Sequence, residues 1–425
     1  MLKAFLNSFR IPDLRNKILF TLFIIVVYRF GNHVPVPVVD TSVLANQSQG
    51  NFLDLLNLFS GGGISKFSVF TLGIMPYITS SIIIQLMTVV IPKLQQWQDQ
   101  GEAGTKKINQ TTRYVTVALA FLQSAGLVFL FHNGSSTTNI PDVFPAGTFK
   151  VTNVLLIITV MTAGTALIMW LGELITQRGI GNGMSILIFT SVISRLPFEF
   201  GAILQARGPG AFTLAILLGV AILVAVVYMD QGQRRVPIQY AKRVVGRKQT
   251  MGGSTYLPLK VNQAGVIPII FANSILYFPV LLANVIHAQS FQNFVSNYLS
   301  NSRSWVYMLL LAALIVFFAY FYTAIQFDPV RTADNLRKNG GFIPGIRPGP
   351  PTADYLNAIL VRITLPGSLF LATIALIPTI VLNVWGIQQF PFGGTSILIA
   401  VGVALETMKQ IESQLMMRHY EGFLS

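Results

Sequence analysis

The sequence contains no cysteine and few charged residues. Charged residues make up 10% of the chain, against roughly a quarter in an ordinary soluble domain. The lack of cysteine excludes disulfides, thiolate metal sites and cysteine nucleophiles. The four histidines are not spaced four residues apart on a helix, as a metal site on one helix face would need; they are His33, His132, His287 and His419. We therefore predict no metal, no cofactor and no catalytic residues.

Long apolar runs are present instead. The apolar fraction is 52% and the mean hydropathy is +0.61, as expected for a polytopic membrane protein. A bilayer core asks for about 20 mostly apolar residues per helix, and ten windows qualify, two of them short. They cover residues 18–36, 67–91, 114–131, 151–171, 183–197, 209–229, 264–285, 305–327, 364–385 and 392–408.

The basic residues predict the orientation of these spans. The first window follows Lys3, Arg10, Arg15 and Lys17 without a small-residue cleavage site, so we interpret it as a retained first helix and not as a signal peptide. With the N-terminus inside, most of the 29 Lys and Arg residues fall in cytoplasmic segments. This asymmetry favours an even number of spans with both termini cytoplasmic.

The spans carry short motifs that recur between the two halves of the chain. The second and seventh spans both contain Gly-x-x-Pro-x-Ile, beginning at Gly73 and Gly265, and the fifth and tenth both contain Gly-x-Ser-Ile-Leu-Ile, beginning at Gly183 and Gly394. Under the predicted topology each pair enters the membrane from opposite sides. The pattern predicts two inverted five-helix halves, and its Gly and Pro residues mark broken helices around a central pathway. For any single Gly, close helix packing explains the sequence nearly as well.

The spans hold almost no charge near their centres, where ion-coupled transporters place it. Glu173 and Glu406 lie near cytoplasmic ends, and Arg29 lies near the outer interface. The candidate lining is aliphatic, and a ring of such side chains blocks ions by dewetting. Ordinary core packing is the alternative for each residue alone. The candidates are Ile74, Ile78, Ile180, Met184, Ile270 and Ile399.

Two further segments stand out between the spans. Phe52, Leu55, Leu56 and Phe59 have helical spacing after Asn51, which predicts a short external amphipathic helix ending at Gly61. From spacing alone it either lies on the outer interface or folds back into the central cavity. The cytoplasmic loops at 231–263 and 328–363 are strongly basic, as suits contact with RNA or an acidic protein face.

Several of these segments closely resemble the SecY family, the channel subunits of the bacterial protein-translocation complex, and the likeness covers nearly the whole chain. The runs that carry it are Phe59-Ser60-Gly61-Gly62, Gly73-Ile74-Met75-Pro76-Tyr77-Ile78, Trp170-Leu171-Gly172-Glu173, Arg178-Gly179-Ile180-Gly181-Asn182-Gly183, Gly232-Gln233-Arg234-Arg235, Leu257-Pro258-Leu259-Lys260-Val261-Asn262 and Pro344-Gly345-Ile346-Arg347-Pro348-Gly349.

The resemblance implies an all-α fold with ten transmembrane helices in two inverted halves around an hourglass pore. It implies that the six aliphatic residues form the pore ring, with Met184 replacing a commoner Ile. The segment at about 51–63 would be the plug, which favours the fold-back interpretation. Thr79 and Gln85 would face Asn273 and Tyr277 across a lateral gate. The basic loops would dock the SecA motor ATPase or the ribosome, through Arg243, Arg247, Lys248 and Arg347. Many family members carry a basic tail, and this chain ends without one.

The resemblance also implies small SecE-like and SecG-like membrane subunits, and signal peptides and unfolded secretory polypeptides as passengers. We therefore predict the central, non-enzymatic subunit of a protein-conducting channel in the bacterial plasma membrane, which releases transmembrane segments sideways into the lipid bilayer. A phosphate-binding Gly-x-x-x-x-Gly-Lys-Ser/Thr loop is absent, so energy would come from elsewhere. The alternative is a secondary transporter of a small solute. An intramembrane protease is disfavoured, because no paired nucleophile and base is visible.

The predicted organisation follows the spans. Segment 1–17 is a cytoplasmic N-terminal segment, 18–200 the N-terminal half with spans 1–5, 201–230 span 6, 264–327 spans 7–8, 364–408 spans 9–10, and 409–425 a cytoplasmic tail, with the two basic loops between them.

Overall fold

The computed structural model describes most of the chain. The described residues are 9, 11–40, 60–133, 143–145, 149–240, 243–245, 248–250, 254–285, 288–299, 304–385 and 394–421. The predicted plug side chains Phe52, Leu55, Leu56 and Phe59, and also Arg247, lie outside them.

The described residues are mostly helical. The helices are α1 (Pro12–Gly31), α2 (Met75–Val90), α3 (Pro92–Asp99), α4 (Glu102–Asn133), α5 (Val151–Arg178), α6 (Gly183–Gln231), α7 (Ile267–Val285), α8 (Gln289–Phe294), α9 (Trp305–Gln326), α10 (Pro329–Lys338), α11 (Pro350–Trp385) and α12 (Gly394–Glu421), with a π-helical turn at Val295–Leu299. The strands are β1 (Gln233–Tyr240), β2 (Arg243–Val245), β3 (Lys248–Thr250), β4 (Ser254–Lys260) and β5 (Gly341–Phe342).

Several helices are apolar enough to cross a membrane, which confirms the predicted class of multi-span helical membrane protein. Among the described residues five helices pass on length and composition, or six if α2 and α3, which meet at a 99° bend, form one span. The segments Gly183–Pro197 and Ile267–Leu276 are shorter apolar helices.

Several helices extend beyond their apolar windows, at the start or at the end. α4 begins at Glu102, well before the predicted span, α5 continues to Arg178, and α11 begins at Pro350. Hydropathy detects only the apolar part of such a helix, because the turns outside the hydrocarbon are free to be polar. The sixth window begins where α6 is broken, at Gly208, whose φ is 77°.

The helix of the second predicted span begins later than its apolar window, which starts at Phe67. Residues 60–74 form turns, and α2 begins at Met75 with Pro76 in its first turn. Proline suits this position because the first N–H groups of a helix have no helical partner. Hydropathy could not separate these turns from the helix, since the buried turn residues Phe67, Phe70 and Leu72 are themselves apolar.

Both pairs of recurring motifs have matching local conformations. Gly73 and Gly265 have positive φ, of 55° and 61°, and in each motif the helix begins two residues later with its Pro in the first turn. Gly183 and Gly394 are each the first residue of a helix. The repeats therefore correspond to repeated helix starts.

The contacts divide the chain into two compact units. Unit 1 contains Met1–Phe212, Ser274–Tyr307 and Val403–Ser425, and unit 2 contains Thr213–Asn273 and Met308–Gly402. In unit 1, α4 packs against α2, α3 and α5, and α1 packs against α5. Its fully buried residues include Tyr28, Phe67 and Phe131, with the rings of Phe67 and Phe131 edge to face at 5.2 Å.

Unit 2 contains a three-stranded sheet that joins the two basic loops. β1 pairs antiparallel with β4, and its last two residues pair with β5 of the second loop, in the order β4-β1-β5. A small core lies beneath the sheet; it consists of Val236, Leu259, Ile343, Leu356 and Leu360. The sequence analysis predicted only loops here. Val236, Ile238 and Leu259 are buried while most of their neighbours are exposed, which is the alternation typical of a half-buried strand.

Candidate functional site

The six candidate pore residues are all buried. Ile74, Ile78, Ile180 and Met184 belong to unit 1, and Ile270 and Ile399 belong to unit 2. Ile74 directly precedes α2, Ile78 and Ile270 lie in the first turns of α2 and α7, and Met184 is the second residue of α6. The helix starts therefore place five of the six within a few residues of an irregular turn, where backbone groups need partners within the protein.

The turn before α6 is held by side-chain hydrogen bonds. The Thr21 hydroxyl of α1 accepts a bond from the Ile180 N–H at 3.2 Å, and the Asn182 side chain accepts from the Met184 N–H at 3.1 Å. The Gly183 N–H donates to the Thr176 hydroxyl at 2.9 Å. These bonds satisfy backbone donors that the helix start leaves free and hold Met184 in place.

Ile180 and Met184 have different surroundings. Ile180 is 3% exposed and packs in a cluster with Ile18 of α1 and Ile411 of α12. Met184 lies against α5, because a Cβ added to Gly172 would overlap with the Met184 sulfur. One residue thus packs against the first and last helices and the other against α5.

Gly183 allows a close approach of α5 and α6. A Cβ at this position would overlap with the carbonyl oxygen of Gly172. We expect Gly183→Ala to destabilise the protein by ~2 kcal/mol, since two helix backbones must separate and neither can shift as a side chain would. The thermal unfolding midpoint of the detergent-solubilised protein measures this effect.

The matched control is Gly126→Ala in α4, where an added Cβ meets nothing within 4 Å. It should leave the midpoint unchanged or raise it slightly, because alanine favours helix over glycine by ~0.5–1 kcal/mol. Equal losses in both variants would show that the close approach at Gly183 is unimportant.

The predicted gate residues are distributed over both units. Thr79 and Gln85 are half-buried on α2, where the Thr79 hydroxyl donates to the Met75 carbonyl at 2.9 Å. Asn273 on α7 is 7% exposed, and its amide nitrogen has no hydrogen-bond partner among the described residues. Tyr277 lies on α7 by its backbone, and its side chain is outside the description. Asn273 is thus a buried donor without compensation.

Gly61, at the end of the predicted plug, has positive φ (64°) and is wedged between α1 and α6. A Cβ on Gly61 would stand 3.1 Å from the Asn32 amide nitrogen and 3.2 Å from the Cα of Ser191. Its carbonyl accepts a hydrogen bond from the Arg29 guanidinium at 3.1 Å. From the sequence, Arg29 is a charge near the outer interface, and its presence in an apolar span is the signal that it has a role.

Arg347 is exposed on a tight turn over the small core of unit 2. Gly345 and Gly349 flank it with φ of 82° and 107°, and the Thr352 hydroxyl donates to the Arg347 carbonyl at 2.9 Å. Arg243 and Lys248 lie on the paired strands β2 and β3, and their side chains are outside the description. The backbone around Arg347 is therefore held in place, and its side chain is exposed.

Comparison with known proteins defines the class of this architecture. The chain is 53% identical over 438 residues to the protein translocase subunit SecY of Streptomyces coelicolor, and 50% identical over 441 residues to that of Mycobacterium bovis, with all of each chain covered. The SecY family model matches residues 68–408.

Solved structures show the same fold at low sequence identity. A protein-conducting channel structure matches with a TM-score of 0.66 at 17% identity, covering 94% of this chain and 92% of the other. A SecY structure, whose plug domain is described as stabilising the closed state and maintaining a membrane seal, matches with a TM-score of 0.63 at 18% identity. The match covers 94% of this chain and 92% of the other. Sec61 in the canine ribosome–channel complex from the endoplasmic reticulum matches with a TM-score of 0.62 at 16% identity, again covering 94% of this chain and 92% of the other.

The class is therefore that of multi-span membrane channel subunits which conduct proteins. The chain belongs to the SecY family, as its resemblance predicted. Membership in this family confirms a translocase channel subunit that is not an enzyme by itself, and the secondary-transporter alternative is not favoured.

Proposed function

We propose that this chain is the central subunit of a channel that passes unfolded, signal-bearing polypeptides across the bacterial plasma membrane and releases transmembrane segments into lipid. The observation that carries the proposal is the full-length identity of about half to translocase subunits. Ion conductance in a planar bilayer, with and without the plug segment, tests it, because a wide plugged pore and a solute carrier differ in that readout.

We propose ten transmembrane helices in two inverted five-helix halves around an hourglass pore, with both termini cytoplasmic. The matching local conformations at Gly73 and Gly265, and the helix starts at Gly183 and Gly394, support the internal repeat. The excess of basic residues in the predicted cytoplasmic segments supports the orientation.

The pore ring of this proposal consists of Ile74, Ile78, Ile180, Met184, Ile270 and Ile399. Their burial supports the assignment, and an apolar neck of this kind excludes ions by dewetting while deforming around a passing chain. Ile180 also packs in a cluster with Ile18 and Ile411.

We further propose that residues 51–63 form the plug. The described end of this segment supports the assignment, because Gly61 is held between α1 and α6 and is not free at the outer interface. A plug seated over an apolar constriction would complete the seal in the resting channel.

The lateral gate of this proposal runs between α2 and α7, with Thr79 and Gln85 facing Asn273 and Tyr277. We expect Asn273→Leu to slow signal-sequence insertion by ~5-fold, because it removes a buried, unpaired donor that weakens the closed state. Site-specific crosslinking of a signal peptide to α2 and α7 over time measures the rate.

The control is Ile275→Leu, which changes an exposed side chain on the same helix without changing its polarity. Its crosslinking rate should equal that of the parent. An unchanged rate in Asn273→Leu would contradict the gate assignment.

The proposed partners dock on the basic loops and beside the spans. We propose that Arg243, Arg247, Lys248 and Arg347 contact the SecA motor or the ribosome, and that SecE-like and SecG-like subunits complete the complex. The structural similarity to Sec61 in a ribosome–channel complex and the exposed position of Arg347 support the docking surface.

A further inference from the structure

Arg29 is a charged residue in the last turn of the first apolar helix, and its contacts reach two other elements. Its guanidinium donates to the Gly61 carbonyl at 3.1 Å and to the Ser194 hydroxyl of α6 at 2.8 Å. Among the described residues its hydrogen-bond partners are neutral. A cation in a span is costly unless it has a task there, so these contacts call for a functional explanation.

The contacts of Arg29 form part of a larger junction between α1, α6 and the turn Ser60–Gly63. The hydroxyls of Tyr28 and Ser191 are hydrogen-bonded at 2.6 Å and buried. Ser194, which accepts from Arg29, also donates to the Ser191 carbonyl at 2.8 Å. Gly61 fits between the two helices only because it lacks a Cβ and adopts positive φ.

We propose that Arg29 is the positioning residue that anchors the turn Ser60–Gly63 to α1 and α6 and so holds the attachment point of the plug. This inference rests on the proposed function, because it takes residues 51–63 as the plug. The anchor lies wholly within unit 1.

A single guanidinium suits this task because its planar fork presents several donors in fixed directions. One group therefore bridges a backbone carbonyl and a hydroxyl on different elements. Hydrogen bonds to a charged group are stronger than neutral ones, and Gly61, whose carbonyl accepts one of them, is buried. Loss of the charge should loosen the turn without changing the apolar constriction.

The first test is ion conductance of the purified complex in a planar bilayer. We expect Arg29→Ala to raise the leak ~10-fold, the effect of about one charge-assisted hydrogen bond on an equilibrium constant. The matched control is Lys66→Ala, which removes an exposed cation five residues after Gly61. Its conductance should equal that of the parent. If Arg29→Ala does not assemble in the membrane, Arg29→Gln provides the same test.

A double-mutant cycle separates anchoring from a general loss of structure. Ser194→Ala removes one of the two acceptors of the Arg29 guanidinium and leaves Gly61 unchanged. If the two residues act through one contact, Ser194→Ala should raise the leak in the parent and add little in the Arg29→Ala background, since the effects of residues in contact are not additive. Arg29→Lys, which keeps the charge, should leak less than Arg29→Ala.

The outcomes separate this inference from the proposed function. A leaky plug deletion with a silent Arg29→Ala overturns the anchor and leaves the channel in place. Additive leaks of Arg29→Ala and Ser194→Ala also overturn it, since the arginine would then act through other contacts. A silent plug deletion contradicts the plug itself and thus the proposed function.

Discussion

Removal of Asn51–Ser60 is expected to convert a silent protein into a leaky channel of large conductance. In the proposed channel the plug covers an apolar neck, so ions would meet both a steric and a dewetting barrier. Without the plug only the proposed ring of Ile and Met side chains would remain, and this ring would already have to part for a polypeptide. We expect single-channel openings in a planar bilayer for the variant and rare ones for the parent.

One control shows whether the leak reflects the loss of the plug or the shortening of the chain. A variant of full length with Ser in place of Phe52, Leu55, Leu56 and Phe59 keeps the connection to Gly61 and loses only the apolar face. It should leak as well, since a polar segment gains nothing from leaving water. If parent and deletion were both silent, the plug assignment would fall and the solute-carrier alternative would regain support.

Replacement of Arg347 by Glu is expected to reduce translocation by about tenfold while the protein remains folded. Arg347 is exposed, and its turn is held by Gly345, Gly349 and the Thr352 hydroxyl, so the substitution changes the charge and leaves the backbone unchanged. A partner face with acidic groups or phosphates would meet repulsion where it now meets attraction. Protease protection of a signal-bearing polypeptide in proteoliposomes measures the loss.

The charge-matched control for this prediction is Lys338→Glu. Lys338 is the last residue of α10 and is exposed in the same loop. A much smaller loss there would show that Arg347 makes a specific contact. Equal losses would indicate that only the total charge of the loop matters. In that case the translocation losses of both variants should become smaller at higher salt, because salt screens surface charges. Normal translocation in Arg347→Glu would contradict the docking proposal.

The sheet of unit 2 connects the two basic loops, which are far apart in sequence. β1 of the first loop pairs with β5 of the second, and Val236, Leu259 and Ile343 share one core with α11. A partner that binds either loop would therefore bind a structure to which both contribute.

The membrane class, the approximate positions of the spans and the family could all be predicted from the sequence. Apolar windows report the cost of placing polar groups in hydrocarbon, which acts on each segment independently of its neighbours. The paired Gly-x-x-Pro motifs are similarly local, because a glycine with positive φ and a proline in the first turn have the same effect wherever a helix begins. The helical membrane class, the family and the positive φ at Gly73 and Gly265 are confirmed, and the number and placement of the spans stay a prediction.

Other features depend on partners that are distant in the chain. The turns at 60–74 were inseparable from a span by hydropathy, since protein packing and lipid both favour apolar residues. The β1–β5 pairing needs a strand about 100 residues away, and the contact of Arg29 with Gly61 and Ser194 joins segments with no shared pattern. The sequence by itself thus determined the membrane class, the family resemblance and the local conformation at the paired Gly-x-x-Pro motifs. Only the tertiary structure decided that Ile180 packs against Ile18 and Ile411, and which carbonyl Arg29 binds, because those contacts exist only after separate helices have packed together.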